Sequence, residues 1–429
     1  MTADEQQKGY CYLLSLFVRT LHYYMNLKGK RILVCEEALV DEQGHFQSWI
    51  RAIRQMHLDA GAEVYIAGNR AVTPDVRDDL QVLPVYSENS WDQRISGKWP
   101  AWRRHLWALI HNWRVFSETK SALTKTGPVD VVLFTAVRIH HVIGLRILCF
   151  LGLGVQFKRI VFFLLTSQAE YNSDFTAYRF SAQSRLLALV LRSFRHLARS
   201  GLVILAGDSH ITCAEYEKLA GIRMTLFPSP GCSLSYESNA RTNENPTFTI
   251  LGVSTWDKGI DVFQEAILQF LARNPRSSAS FVLQWNVPCV GPDGHIIPVS
   301  EWLRLDPRVT FIERRLSNHE YAEILSMSDF VVLPYRKSTY YNRISGVAVE
   351  AALSGKPMIV TENTWLSWAV AQFGAGLAVP EGNLEAWTLA IEKCCINWPA
   401  LQEEGRRRII VANNYNSSGR YLEILWGEL

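Results

Sequence analysis

The segment Ser328–Thr361, SDFVVLPYRKSTYYNRISGVAVEAALSGKPMIVT, decides the fold class because it contains a complete strand–loop–helix–strand order. An apolar strand comes first, a polar loop follows, and Ser345-Gly346 then opens a helix that carries Glu350. Gly355 ends that helix, and a second apolar strand begins soon after it. Strands that alternate with helices in this way predict a parallel sheet covered by helices.

The start of the helix that carries Glu350 suits a nucleotide diphosphate. A helix N-terminus offers unpaired N–H groups and the positive end of a dipole to phosphate oxygens. Gly346 lets the backbone approach such a ligand closely, and Glu350, about one turn further on, can accept hydrogen bonds from both hydroxyls of a ribose. The alternative is an ordinary βαβ unit with a serine cap and a solvated glutamate, and the spacing alone favours neither.

The same alternation of strands and helices continues through the rest of the chain. In the N-terminal half, the apolar runs predict strands at Arg31–Cys35, Glu63–Ala67, Val129–Phe134, Arg159–Leu165 and Leu202–Ala206. The polar segment 235–246 lacks apolar periodicity and predicts a linker, after which the pattern restarts. We therefore expect two Rossmann-like domains, 1–234 and 247–400, whose parallel sheets face each other across a cleft.

Size and composition agree with two globular α/β domains. The chain has 429 residues, of which 48% are hydrophobic and 20% charged, so two cores of ordinary size can form. A net charge of +3 does not favour nucleic acid as a partner. Eight cysteines at irregular spacings, with no Cys-x-x-Cys pair, argue against a zinc or disulfide framework and for a reducing compartment, so we expect a cytoplasmic location.

The C-terminal half also resembles the donor-binding region of the retaining GT-B glycosyltransferases of family 4. That family has a helix-opening loop and then a Glu followed by Ala, a small residue and Gly-x-Pro. The matching residues here are Glu350, Ala351, Gly355 and Pro357. The preceding LSNHEYAEILSMSDFVVLP is close to the family pattern, and Lys258-Gly259 in STWDKGIDVFQEA resembles its Lys-Gly pair. The resemblance is strong over 247–379 and weaker in the N-terminal half.

The resemblance implies that the C-terminal domain binds a nucleotide-sugar donor, that the N-terminal domain binds the acceptor, and that the transfer retains the anomeric configuration. It implies no metal and no further cofactor, because Lys258 and the helix N-terminus would stabilise the departing diphosphate. The segment 401–429 is expected to cross back onto the N-terminal domain. The expected donor-binding residues are Gly44, Lys258, Arg315, Asn342, Arg343, Ser345, Gly346, Val347 and Glu350, and the expected catalytic residues are Lys258, Glu350 and His140.

Two positions depart from the family pattern. The family carries a second Glu eight positions before the ribose-binding one, and this chain has Asn342 there, which keeps the hydrogen bonding but loses the charge. The usual Arg near Lys258 is also absent, so Arg343, or Arg314 and Arg315, would have to supply positive charge. These departures leave the identity of the donor open.

Small and titratable residues follow two of the predicted N-terminal strands. Gly44 and His45 lie in the loop after the first strand, where the resemblance implies contact with the donor phosphates and the acceptor. His140 and His141 follow the strand Val129–Phe134, which makes His140 a candidate catalytic residue and His141 a candidate acceptor contact. The alternatives are a plain turn, a histidine that caps a helix, and histidines with a structural role.

Two aromatic segments, 10–27 and 91–116, predict contact with a membrane surface. The second contains five tryptophans interleaved with the basic residues Arg94, Lys98, Arg103, Arg104 and Arg114. Trp and Arg side chains favour the membrane–water interface, so we expect docking on the anionic inner face of a membrane, close to a lipid-linked or glycan acceptor. The alternative is that Trp102, Leu106 and Trp107 pack against the domain.

These expectations describe a metal-independent hexosyltransferase of polysaccharide biosynthesis, and two other functions stay open. A GT-B-fold nucleotide-sugar epimerase or hydrolase would turn over the donor without an acceptor. A non-catalytic partner of a polysaccharide assembly complex would not bind a nucleoside diphosphate, and the change at Asn342 keeps this alternative open.

Overall fold

The computed structural model describes residues 26–41, 46–90, 99–229 and 245–427. The chain divides into two compact units. Of the described residues, unit 1 contains 26–206, 216–229 and 417–427, and unit 2 contains 207–215 and 245–416. Each unit is built on a parallel sheet with helices, which confirms the predicted α/β class.

Unit 1 has a sheet with the strand order β3-β2-β1-β4-β5-β8-β9. Its elements are β1 (Arg31–Cys35), α1 (Phe46–Asp59), β2 (Glu63–Asn69), α2 (Pro74–Leu80), β3 (Val82–Tyr86), α3 (Ala101–Thr126), β4 (Val129–Phe134), α4 (Ile139–Gly152), β5 (Phe157–Phe163), β6 (Ala169–Tyr171), β7 (Tyr178–Phe180), α5 (Ala182–Arg192), α6 (Arg195–Arg199), β8 (Val203–Gly207), α7 (His210–Ala220) and β9 (Thr225–Leu226). Strands β1, β2, β3, β4, β5 and β8 pair in parallel. Every residue of β4 is buried, as expected for a strand covered on both faces.

Unit 2 has a sheet with the order β14-β11-β10-β15-β16-β17, and its neighbouring strands are parallel. Its elements are β10 (Thr247–Ile250), the 3₁₀ turn Trp256–Lys258, α8 (Ile260–Arg273), β11 (Ser280–Gln284), β12 (Cys289–Val290), β13 (Ile296–Ile297), α9 (Glu301–Leu305), β14 (Val309–Ile312), α10 (Asn318–Met327), β15 (Phe330–Leu333), α11 (Lys337–Tyr340), α12 (Gly346–Leu353), β16 (Met358–Thr361), α13 (Trp365–Gln372), β17 (Gly376–Val379), α14 (Leu384–Ile396) and α15 (Trp398–Tyr415). The strand order reverses between β10 and β15, so their carboxyl ends flank the crevice where open α/β sheets bind ligands.

The last two helices divide between the units. Helix α15 packs on α12 in unit 2, where a Cβ on Gly405 would lie 2.2 Å from the carbonyl oxygen of Gly355. The chain rejoins unit 1 at Ser417, and helix α16 (Ser418–Trp426) buries Trp426 in the core of that unit. Residues 401–416 therefore stay with unit 2. Arg159 of β5 donates from Nη1 to the carbonyl oxygens of Leu425 (2.8 Å) and Gly427 (3.0 Å), which satisfies the end of α16.

Helix α3 has one buried face and one exposed apolar stripe. One face of the helix carries four apolar side chains that are 50–68% exposed, namely Trp102, Leu106, Leu109 and Trp113. The alternative that Trp102 and Leu106 pack against the domain is therefore wrong, whereas Trp107 is half-buried and its indole donates to Glu88 at 2.8 Å. No helix in the described ranges, the 26-residue α3 included, is both long and apolar enough to cross a bilayer.

Candidate functional site

The candidate donor site is built around the N-terminus of α12, directly beyond β15 in unit 2. Ser345 caps this helix with its side-chain oxygen, which accepts the N–H of Ala348 at 3.3 Å. A Cβ built on Gly346, the first helical residue, would meet no atom within 4 Å. The protein's own packing therefore does not require glycine here, and the first N–H groups of α12 border open space that phosphate oxygens can occupy.

Lys258 lies at the carboxyl end of β10, on the turn that leads into α8. Gly259, with φ +66°, allows this turn, because a Cβ there would lie 2.1 Å from the carbonyl oxygen of Pro334 at the end of β15. Burial lowers the pKa of Lys258, and the neighbouring Asp257 opposes that shift. In the described ranges, no carboxylate lies within ion-pairing distance of the Lys258 ammonium. The site thus holds a half-buried cation that is free to meet an anion.

Tyr335 connects Lys258 to the start of α12. The Nζ of Lys258 lies 5.8 Å from the centroid of the Tyr335 ring. Burial raises the pKa of Tyr335, and the nearby Ser345 side chain is among the groups that oppose this shift. The lysine and the mouth of α12 therefore both lie against one tyrosine, at the crevice between β10 and β15.

Glu350 is the acidic member of this group. Its carboxylate accepts the phenol hydrogen of Tyr321, on helix α10, at 2.5 Å. Burial raises the pKa of Glu350 above its ordinary value, and the hydrogen bond from Tyr321 opposes the shift. Sequence reasoning missed Tyr321 because it precedes Glu350 by 29 residues, although it lies within the quoted family-like segment.

The other expected donor-binding residues occupy two different places. Asn342 and Arg343 precede Ser345, and Val347 is half-buried in the first turn of α12. Arg315 is exposed in the loop after β14, and the Gln284 side chain, which accepts the N–H of Gly252, donates to the carbonyl oxygen of the preceding Arg314 at 3.4 Å. Its neighbour Arg314 pairs with Glu320 at 2.6 Å. Arg314 is thus engaged by a carboxylate, whereas the contribution of Arg315 to the positive charge near Lys258 stays a prediction.

A segment that the sequence analysis overlooked, 207–215, clusters with unit 2 and contributes carboxylates near Asn342. The Asn342 amide donates to Glu215 at 3.0 Å. Burial raises the pKa of Asp208 to about 7, and its own backbone and the charge of Arg343 oppose that shift. The signal was present, because Asp208 directly follows the buried strand β8, but the sequence does not reveal which residues it approaches.

The structure places His140 and His141 in a buried cluster of unit 1 with Glu37 and His111, which we call the His–Glu cluster. His141 is 3% exposed, its Nδ1 accepts the N–H of Arg138 at 2.9 Å, and its Nε2 lies 3.1 Å from a Glu37 oxygen. An acceptor-binding role for His141 is not supported, because both ring nitrogens are engaged inside the protein. Burial lowers the pKa of the half-buried His140 to about 2, so its ring is neutral.

The expected contacts Gly44 and His45 lie outside the described residues.

Comparison with known proteins supports the resemblance seen in the sequence. Residues 245–397 match the model of the family described as glycosyl transferases group 1. The chain is 26% identical, over 220 residues, to a D-inositol 3-phosphate glycosyltransferase of Corynebacterium diphtheriae, an alignment that covers 48% of this chain and 49% of that protein. The chain thus matches about half the length of this curated relative.

Among solved structures, the chain resembles a glycosyltransferase from Rickettsia africae, with a TM-score of 0.60, 14% identity, and coverage of 93% of this chain and 99% of that one. It also resembles a structure from E. coli described as trehalose-6-phosphate bound with UDP-2-fluoro glucose, with a TM-score of 0.61, 11% identity, and coverage of 92% and 98%. The protein therefore has the GT-B fold, and it is similar to family 4-like glycosyltransferases, as the sequence predicts.

Proposed function

We propose that this protein is a glycosyltransferase that moves a sugar from a nucleoside diphosphate donor to a glycan or lipid-linked acceptor, with retention of configuration and with no metal on the diphosphate. The single observation that carries the proposal is the unpaired Lys258 ammonium beside the open N-terminus of α12. A cation and a helix dipole directed at one place are suited to the charge that develops on a leaving diphosphate. The group 1 match and the fold support the same conclusion.

In this proposal, Glu350 binds the ribose. Its carboxylate offers two oxygens, of which one accepts the Tyr321 hydroxyl, so the other oxygen and the remaining lone pairs are available to the two ribose hydroxyls. Tyr321 fixes the orientation of the carboxylate before the donor arrives. Burial raises the pKa of Glu350, because an ionised carboxylate is less stable in a site with little water.

Glu215 compensates for the departure at Asn342. The family has a carboxylate at this position of the chain, whereas here the amide of Asn342 holds the carboxylate of Glu215 at 3.0 Å. We infer that the negative charge is kept near the sugar while its position in the sequence has moved. This favours an active transferase over the non-catalytic partner that the sequence left open.

The apolar stripe of α3 gives the enzyme a membrane-binding surface. Trp102 and Trp113 stand at the two ends of the stripe, and the exposed Arg103 and Arg104 lie beside it. Large apolar side chains next to arginines fit the interface of a bilayer that carries anionic headgroups. A lipid-linked acceptor would then be within reach on the same surface.

Donor binding is tested by a thermal-shift series with UDP, GDP and ADP on the wild type, on Lys258→Met and on the exposed-lysine control Lys393→Met. We expect one nucleotide to stabilise the wild type and the control by about 2.7 kcal/mol at 100 times its dissociation constant, and to stabilise Lys258→Met far less. No shift with any nucleoside diphosphate would support the non-catalytic alternative. Donor turnover at full rate without an acceptor would support the epimerase or hydrolase.

A further inference from the structure

The His–Glu cluster brings together four side chains from three separated elements of unit 1. Glu37 follows β1, His111 lies in the middle of α3, and His140 and His141 open α4. One nitrogen or oxygen of each lies within 4.8 Å of the corresponding atoms of the others. Three imidazoles and a carboxylate are a set of ligands that divalent transition metals favour.

The distances within the cluster fit a single tetrahedral ion. Glu37 Oε2 lies 3.0 Å from His111 Nε2, and ligands at 2.0–2.1 Å from a tetrahedral zinc are about 3.3 Å apart. The ring centroids of His111 and His140 lie 5.1 Å apart, and two imidazoles on one such ion have centroids about 5 Å apart. Small side-chain rotations are thus enough to direct these three groups at one point.

The hydrogen bonding leaves the expected ligand atoms available. Both ring nitrogens of His111 and the Nε2 of His140 are buried and make no well-aligned hydrogen bond within the described ranges, although His111 Nε2 lies 3.0 Å from Glu37 Oε2 and His111 Nδ1 lies 4.0 Å from Glu88 Oε2. His111 is only 2% exposed, so bulk solvent does not reach its ring. Buried polar atoms are normally paired, and a metal ion would occupy these lone pairs.

Neighbouring groups hold the carboxylate and the rings in place. The N–H of Ser90 donates to Glu37 Oε1 at 2.9 Å, and the Nε2 of His141 lies 3.1 Å from the same oxygen. Because His141 accepts the Arg138 N–H at Nδ1, its neutral ring carries the proton on Nε2 and donates to Glu37. Oε1 is therefore engaged, and Oε2 remains for a metal. Such outer partners commonly orient metal ligands.

We propose that Glu37, His111 and His140 bind one divalent transition-metal ion in unit 1, with Zn²⁺ as the best fit, and that His141 is a positioning residue that orients Glu37. The ion would connect the turn after β1 to α3 and α4. The site is distinct from the donor site in unit 2 and does not depend on the proposed transfer reaction.

The test uses the full chain, stripped of metal with a chelator and titrated with Co²⁺ and Zn²⁺. We expect one Co²⁺ per chain, with the intense visible absorption of a tetrahedral site, displacement of Co²⁺ by Zn²⁺, and a higher melting temperature. His140→Gln should abolish the absorption, and His141→Gln should keep it while weakening the affinity about 10–100-fold. His105→Gln, at an exposed histidine of α3, the helix that carries His111, should behave as the wild type.

Three outcomes would overturn the proposal: no tetrahedral spectrum in the wild type, the same affinity in His140→Gln and His105→Gln, or loss of the spectrum in His105→Gln as well. Circular dichroism shows that each variant is folded, and a nucleotide thermal shift reports separately on unit 2. Because Lys258 and α12 are in unit 2, this shift should persist in His140→Gln. Its absence from all forms of the protein would count against the proposed function and not against the metal site.

Discussion

The donor region of unit 2 and the His–Glu cluster of unit 1 are both groups of polar side chains at the carboxyl ends of parallel strands. Only the donor region can be predicted from the spacing of its residues in the sequence. Ser345, Gly346 and Glu350 belong to one helix and its cap, so their spacing in the sequence is enough to predict that they lie close together. Glu37 and His111 are 74 residues apart in the sequence and meet only because α3 packs beside β1 and α4. Local spacing therefore predicts a site on one element, whereas a site shared by several elements needs the topology.

The largest expected effect is on the rate of sugar transfer, and it concerns Lys258, a residue of the donor region that the sequence predicts. Lys258→Ala should lower kcat about 100- to 1,000-fold, as the loss of one group that stabilises developing negative charge does in other enzymes. The measurement is the rate of sugar transfer at saturating donor, with Lys393→Ala as the control. A loss below tenfold would mean that the helix N-terminus alone carries the diphosphate charge.

Glu350→Gln tests whether the buried carboxylate exists for ligand binding. We expect the nucleotide affinity to fall about 10- to 100-fold, because hydrogen bonds to a charged group contribute about 1.5–3 kcal/mol. The same variant should melt at a higher temperature than the wild type at neutral pH. Burial raises the pKa of Glu350, so the ionised carboxylate destabilises the fold fully above that pKa, and the penalty shrinks as the pH falls from it towards the ordinary pKa of a glutamate. The gain in melting temperature should therefore shrink on acidification; a variant that is less stable at every pH would contradict this account.

Asn342→Glu restores the family residue and tests whether that residue alone, or its contact with Glu215, determines the rate of sugar transfer. Asn342→Glu should reduce transfer about tenfold, because it places a second carboxylate next to Glu215 and like charges at such a distance disfavour each other. The double variant with Glu215→Gln should recover most of the rate. Kinetics of the two single variants and the double variant give the coupling. An active Asn342→Glu with Glu215 unchanged would show that the family pattern suffices.

The smallest expected effect concerns the apolar stripe on α3. Trp113→Ser should weaken binding to vesicles that contain anionic lipid about three- to tenfold, since a tenfold change needs only about 1.4 kcal/mol. Trp302→Ser in unit 2 is the matched control, because Trp302 is 82% exposed and lies outside this stripe. Co-sedimentation with vesicles measures both. Equal loss in the two variants would indicate non-specific adsorption of exposed tryptophans.

Most of the fold follows from the sequence, because parallel strands buried on both faces appear as short apolar runs. The predicted strands Arg31–Cys35 and Val129–Phe134 have the expected limits. The end of the chain was harder to divide, because α15 and α16 are both amphipathic and the sequence does not show which sheet each one covers. The structure assigns them to different units, with the division at Ser417.

The candidate site was predictable only where the chain is locally continuous. Lys258, Ser345 and Glu350 lie in segments with turn and capping signals of their own. Tyr321 and Glu215 carry no such signal, since each reaches the site from an element that is distant in sequence. The histidine pair after β4 is recognisable in the sequence, but its partners Glu37 and His111 are not. These residues come together only when the elements that carry them pack, and the sequence does not show that packing.

The placement of α16 has a consequence for biosynthesis. Trp426 completes the core of unit 1, and Arg159 donates to a carbonyl group at the end of α16, so unit 1 depends on a helix that follows all of unit 2 in the sequence. All of unit 2 is therefore translated before residues 417–427. The core of unit 1 keeps an unfilled hydrophobic surface until α16 has been made.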